Sequence, residues 1–181
     1  VLGKGEYMNL DHNQKSTYVA TPYDDEILEW NKKLNDTYVY YGRQGQDRKA
    51  VQLSMDEVVE EVSTQANVKR SVAKSSVNYR NSSWDLVDAM DDKDAKKEVF
   101  KEENLATLPD SIRHKSNEEI TAFAKAKKQE RIAIQNKIKE HNKKRDQYIA
   151  TQSLTETNAL ESAMFQAIKK QSISKNYQWK K

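Results

Sequence analysis

Cysteine is missing altogether from this 181-residue chain, which excludes disulfides, thiolate metal sites and a cysteine nucleophile. Proline (two) and glycine (four) are scarce, leaving little material for the tight turns of an all-β fold. No apolar run reaches the roughly 18 residues that a membrane-spanning helix needs. At the start, VLGKGEYMNLDHNQ is not a basic patch followed by an apolar stretch, so no signal peptide is read there. Export stays open for a processed chain. Bulky core formers are also few: Leu, Ile, Val and Phe together make 34 residues, near the level at which disorder sets in. A net charge of +3 is too small for a disordered chain.

What is abundant is charge. Charged residues make up 33% of the chain and the mean hydropathy is −1.02, which suits long helices with wide solvated faces. Val1–Gly3 is apolar and ends at Gly3 and Gly5, as a strand end entering a loop does; Thr17–Ala20 is a short extended segment. Thr21 suits a helix cap, Pro22 a first helical position, and Asp24, Asp25 and Glu26 meet the positive end of the dipole. Ile27, Leu28, Trp30 and Leu34 follow at helical spacing, and Thr37–Tyr41 is a β-rich run closed by Gly42. The first 42 residues thus read as loop, helix and strand, the last piece of an α/β unit.

Residues 43–53 read as a linker, polar from Gly42 to Arg48. Ser54-x-x-Glu57 is a capping-box signature. From there Met55, Val58, Val59, Val62, Ala66, Val72 or Ala73, Val77, Trp84 and Val87 share one helical face, predicting a helix from Ser54 to near Met90. Asn81-Ser82-Ser83 compete for backbone bonds and mark a kink or restart. An irregular link with Leu105, Leu108, Pro109 and Ile112 leads to Ser116-x-x-Glu119, a second capping box opening a helix to Gln152. A third, Ser153-x-x-Glu156, opens a final helix through Leu160, Met164, Phe165 and Ile168 to Ser172, followed by the tail Asn176–Trp179. The expected fold is mainly α: a long antiparallel helical hairpin plus a short third helix (54–181), attached to a small α/β remnant (1–42).

The usual signs of chemistry are weak. The helix from Ser116 to Gln152 carries nine Lys or Arg between Ile120 and Ala150 against Glu130, Glu140 and Asp146, a face that attracts phosphates. Only Tyr148 is there to stack on a base, and the basic residues point all round, so a solvated face is the preferred reading. Its stripe of Ile120, Phe123, Ile134, Ile138 and Ile149 is too sparse and irregular for a coiled-coil seam, with Lys127, Arg131, His141 and Arg145 where apolar residues belong. His12, His114 and His141 are far apart and none has a partner at metal-ligand spacing. Asp24, Asp25 and Glu26 read as a helix-start cluster, and Asp85 and Asp88 share a helical face without further ligands. Gly3-x-Gly5 and Gly42-x-x-Gly45 lack the context of a phosphate loop. No Gly-x-Ser-x-Gly elbow is present. Asn35-Asp-Thr37 and Asn81-Ser-Ser83 fit a glycosylation pattern that arises often by chance. No residue is therefore assigned a catalytic, cofactor-binding or metal-binding role. The residues picked out are packing anchors: Trp84, Leu86 and Val87 against Ile134 and Ile138.

TPYDDEILEWNKKLNDTYVYYG (Thr21–Gly42) resembles the closing helix and strand of a von Willebrand factor type A domain, with VLGKGEY as the end of the strand before it. SSVNYRNSSWDLVDAM, the LPDSIR link and the Lys/Glu-rich helix are similar to the C-terminal extension of bacterial proteins carrying such a domain. The resemblance implies the C-terminal portion of a longer protein of the cell envelope or periplasm. Type A domains bind a divalent ion through Asp-x-Ser-x-Ser, which this chain lacks, so no metal ligand transfers to any residue here. The expected function is a non-enzymatic structural or protein-interaction module, its partner another protein or the rest of its own longer chain. The alternative is a basic helical nucleic-acid-binding protein.

Overall fold

The computed structural model describes residues 18–153 together with Phe165, Ile168, Lys169, Gln171 and Ser172. Contacts divide the chain into two units, Ala20–Asp146 and a second made of Val1–Val19 with Gln147–Lys181. Described residues of the second unit are helical from Gln147 to Ser153 and at the five later positions. Ser153, expected to cap a new helix, is helical as the last described residue of α7 (Asn117–Ser153); the helix expected after it otherwise lies outside the described residues, as do Glu156, the tail Asn176–Trp179, Val1–Gly5 and His12.

Over residues 18–153 seven helices run in order: α1 (Asp24–Asn35), α2 (Gly45–Val62), α3 (Thr64–Lys74), α4 (Leu86–Ala89), α5 (Lys93–Val99), α6 (Glu102–Leu105) and α7 (Asn117–Ser153). Among the described residues the chain is thus mainly α, as its composition demands. Two of the expected helix starts are built as the sequence specifies. The Asp24 carboxylate accepts from the Thr21 N–H and hydroxyl, both at 2.9 Å, while the Asp24 N–H donates to the Thr21 carbonyl at 3.2 Å. At α7, Ser116 N–H donates to Glu119 Oε2 at 2.8 Å and Glu119 N–H to Ser116 Oγ at 3.2 Å, a reciprocal capping box.

Other expectations are corrected. The linker over 43–53 is helical from Gly45 onward, and Ser54 lies inside α2. Here Gly42, at φ 81°, turns the chain and donates its N–H to Thr107 Oγ1 at 2.7 Å; the Gly45 N–H closes on the Gly42 carbonyl at 2.9 Å. The single helix from Ser54 to Met90 is broken twice. Ser63 is extended (φ −165°, ψ 119°), and its hydroxyl accepts from the Ala66 N–H at 3.3 Å to cap α3. After Lys74 the serine-rich turn leaves the helix until α4. A helical hairpin is present, but between other helices than expected: in place of a 54–90 helix against the 116–152 helix, α2 and α3 double back at Ser63 and bring Asp56 against Arg70 and Lys74. Thr37–Tyr41 forms no strand; it leaves the turn after α1 with one isolated antiparallel bridge, Tyr40 to Asp85. Its backbone groups are taken elsewhere: the Thr37 and Tyr38 carbonyls accept from Arg131 and Lys49, the Val39 N–H donates to Asp85, and the Val39 carbonyl accepts from the Leu86 N–H. The expected boundary at Gly42 falls inside the unit Ala20–Asp146.

The apolar core has two parts. Ile27, Leu34, Tyr38, Val68, Trp84, Ile134 and Ile138 form one. Val39, Tyr41, Leu86, Val87, Ala89, Val99, Leu108, Ile112, Ile120 and Ala124 form the other. Helix α7 supplies both, through Ile120 and Ala124 at one end and Ile134 and Ile138 at the other. The expected anchors are buried, but only Trp84 shares a cluster with Ile134 and Ile138; Leu86 and Val87 pack with Ile120 and Ala124.

Candidate functional site

Arg131 stands on α7 between the two apolar clusters, and its side chain is 5% exposed. All five of its N–H donors find acceptors. Nε donates to Thr37 Oγ1 (3.0 Å), Nη1 to Asp85 Oδ2 (2.7 Å) and Asp88 Oδ1 (2.8 Å), and Nη2 to the Thr37 carbonyl (2.8 Å) and Asp85 Oδ1 (3.2 Å). The guanidinium also lies 4.2 Å above the Tyr38 ring, which is tilted against Trp84. Asp85 in turn accepts from the Val39 N–H (2.9 Å) and caps α4 through the Asp88 N–H (3.0 Å). Burial lowers the Arg131 guanidinium, but the Asp85 and Asp88 charges more than restore it and raise it overall. Burial and then the Asp85 charge push Asp88 up, more than Arg131 draws it down. With every donor engaged, this cluster is a fastening.

A second buried polar cluster is different. Asn31 and Asn35 on α1, Gln52 and Asp56 on α2, and Asn67, Ser71 and Lys74 on α3 stand at helical spacing and are all buried. Asp56 is the hub. Its Oδ2 accepts from Asn31 Nδ2 (3.1 Å), Asn35 Nδ2 (2.8 Å) and Lys74 Nζ (2.5 Å), and its Oδ1 from Arg70 Nε (2.5 Å). Burial pushes the Asp56 carboxyl up, but Lys74, Asn35 and Arg70 together outweigh it and hold the group below its usual range. Lys74, fully enclosed, has its ammonium lowered by burial more than Asp56 restores. Unlike the Arg131 cluster, this one is incomplete: Asn31 Oδ1, Gln52 Oε1 and Asn67 Oδ1 are buried without a hydrogen-bond donor. Such open acceptors are uncommon in folded proteins. Asn31 and Asn67 line a cleft of about 360 Å³ together with Leu28, Leu53, Asp36 and Glu57.

Because Gln52, Asp56 and the Lys49 stem turn inward, α2 is amphipathic the wrong way round. Its apolar residues Val51, Met55, Val58 and Val62 face outward, each between 51% and 78% exposed. Their spacing of four, three and four is that of a helix-pairing seam. Between Ala50 and Val68 there is no Lys or Arg, while Glu57 and Glu61 flank the stripe.

The residues singled out from sequence scatter. Asp24 turns in to Arg145 Nε at 2.8 Å, Asp25 is exposed, and Glu26 Oε2 lies 2.5 Å from His141 Nδ1. His114 is exposed. Asp85 and Asp88 are committed to Arg131, and Asn35 of the glycosylation pattern to Asp56 and Lys74. Six of the nine basic residues of α7 are ion-paired, four of them at the surface or its edge. No three His, Asp or Glu gather as metal ligands among the described residues, and no described helix is long and apolar enough to cross a membrane. Sequence reasoning missed Asn31, Gln52, Asp56, Asn67 and Lys74. Their signal was the i, i+4 repeat of polar residues on three successive helices, which looks the same as a solvated face. Compared with protein-family models, with curated proteins and with solved structures, the chain has no match, and the chemistry of these sites rests on their own geometry.

Proposed function

We propose that this chain is a non-enzymatic protein-interaction module that pairs the outer face of α2 with an amphipathic helix of another protein. The supporting observation is the outward stripe of Val51, Met55, Val58 and Val62, four large apolar side chains aligned along one helix and left to solvent. Contiguous exposed apolar surface at helix-pairing spacing is costly in a monomer and typical of helix recognition. Glu57 and Glu61 on the same helix, with no Lys or Arg between Ala50 and Val68, favour a partner whose apolar stripe has basic flanks. In the wider frame of the type A resemblance, the module is the C-terminal part of an adhesion or assembly protein. An Asp-x-Ser-x-Ser segment upstream in the same reading frame supports that frame, and its absence from the full frame removes it.

The direct test uses two helical heptad peptides with leucine at the seam, one flanked by lysine and the other by glutamate. Saturable binding of the lysine-flanked peptide alone, lost in the double variant Met55→Ser, Val58→Asn, is the expected result. Both positions are exposed, so the variant should fold with stability within about 0.5 kcal/mol of the parent. Equal binding by the double variant, or by neither peptide, overturns the reading. Random duplex DNA is the parallel probe: tight binding that falls steeply with salt would favour the basic-helix alternative.

A further inference from the structure

We infer that the cleft between α1, α2 and α3 binds a compact organic cation, an alkylammonium or alkylguanidinium head group. The cleft is independent of the outward stripe of α2, because Leu53, Asp56, Glu57 and Glu60 reach it from another side of that helix. Its inner wall carries Asn31 and Asn67, 4% and 3% exposed, each with a carbonyl oxygen that no protein group supplies with a proton. The orientation of the Asn31 amide is set by its Nδ2, which donates to Asp56 Oδ2 at 3.1 Å, so Oδ1 is the atom left for a ligand. An enclosed amide oxygen without a donor is a standing cost, and such costs concentrate where a ligand completes the bonding.

The charge around these acceptors selects the donor. Asp36, Asp56, Glu57 and Glu60 line the cleft with a single lysine, Lys32, whose ammonium is already paired with Glu60 at 3.3 Å. The enclosed Lys74 is likewise spent on Asn35 and Asp56. The cleft also sits at the C-terminal end of α1, where the helix dipole favours positive charge. Leu28 and Leu53 offer apolar wall for a short alkyl stem, and about 360 Å³ suits a small molecule or one long side chain. An anion would meet carboxylates and carbonyl oxygens. A bare metal ion would find amide oxygens but no cluster of three acidic or histidine ligands among the described residues.

The test titrates the full chain with n-butylammonium and n-butylguanidinium, using butyrate and n-butanol as controls. Side-chain amide resonances of Asn31 and Asn67 report occupancy by NMR. Saturable shifts with both cations and with neither control are expected. The decisive variant is Asn67→Leu: it removes a buried Oδ1 that accepts no hydrogen bond in the fold, so thermal stability should hold or rise while cation affinity drops about tenfold or more. A blocked Gly-Lys-Gly peptide separates the sources. Binding as tight as the free amine assigns the site to a partner's side chain, and binding of the free amine alone assigns it to a small molecule; each supports the cationic head group. Absence of saturable binding to the parent chain, binding of butyrate or butanol as tight as the cations, or undiminished binding to the Asn67→Leu variant overturns it.

Discussion

Arg131 and Asp85 meet fork to carboxylate, Nη1 to Oδ2 at 2.7 Å and Nη2 to Oδ1 at 3.2 Å, with side chains 5% and 0% exposed. Two parallel N–H donors against two oxygens is the strongest arrangement these groups can make. Through Asp85 the bond reaches the Val39 backbone and the start of α4, and through Thr37 it reaches the end of the turn after α1. One residue of α7 therefore fastens two segments, 37–39 and 85–88, between the two apolar clusters.

Removing the arginine should expose the cost of that arrangement. Arg131→Met leaves Asp85 and Asp88 buried without a cation and should lower unfolding free energy by about 3–5 kcal/mol in urea titration. Arg131→Lys keeps the charge but supplies three donors from a point rather than five from a plane, so it should recover only part of the loss. A methionine variant within about 1 kcal/mol of the parent would show that the network is dispensable.

Trp84 is the largest side chain at the junction of the turn before α4 with α7, 6% exposed and 5.9 Å from the Tyr38 ring centre. Trp84→Ala should cost about 3 kcal/mol, because the indole cannot be replaced by collapse of Ile134, Ile138 and Val68 around it. An unchanged melting temperature contradicts this placement.

Asp56 and Asp88 predict opposite slopes of stability against pH. Asp56 is held below its ordinary value of 3.8 in the fold, so its contribution is complete above that value and is lost as pH falls through the lower folded one. Asp88 is raised above 3.8, so its charged form costs stability at neutral pH, and that cost is relieved as pH falls through the folded value toward 3.8. Chemical denaturation from neutral pH downward should therefore show Asp56→Asn less stable at neutral pH and flatter below about pH 4. Asp88→Asn should instead flatten the profile above about pH 4. Parallel profiles for parent and Asp56→Asn through the acid range would refute the assignment.

Local signals carried far in this chain. The Thr21 and Ser116 helix starts and the scarcity of strand among the described residues could be read directly, because a cap is completed by residues three apart and an all-β fold needs glycine and proline turns that this chain has little of. What misled was the sign of burial. In α7 the apolar stripe looked interrupted, yet Ile120, Ala124, Lys127, Arg131, Ile134, Ile138, His141 and Arg145 keep a regular alternation of four and three residues. The apparent interruptions Arg131, His141 and Arg145 are where α7 meets Asp85, Glu26 and Asp24.

In α2 the error ran the other way. Met55, Val58 and Val62 look like core from their spacing and stand in solvent, while Gln52 and Asp56 look like surface and are enclosed. By itself the sequence determined that the chain is mainly helical, where α7 begins, and which residue types were available to each face. Which face turns inward was decided only by the tertiary structure. A buried Asp56 or Arg131 is favourable only when donors and acceptors from distant segments converge on it, and that convergence is invisible along the chain.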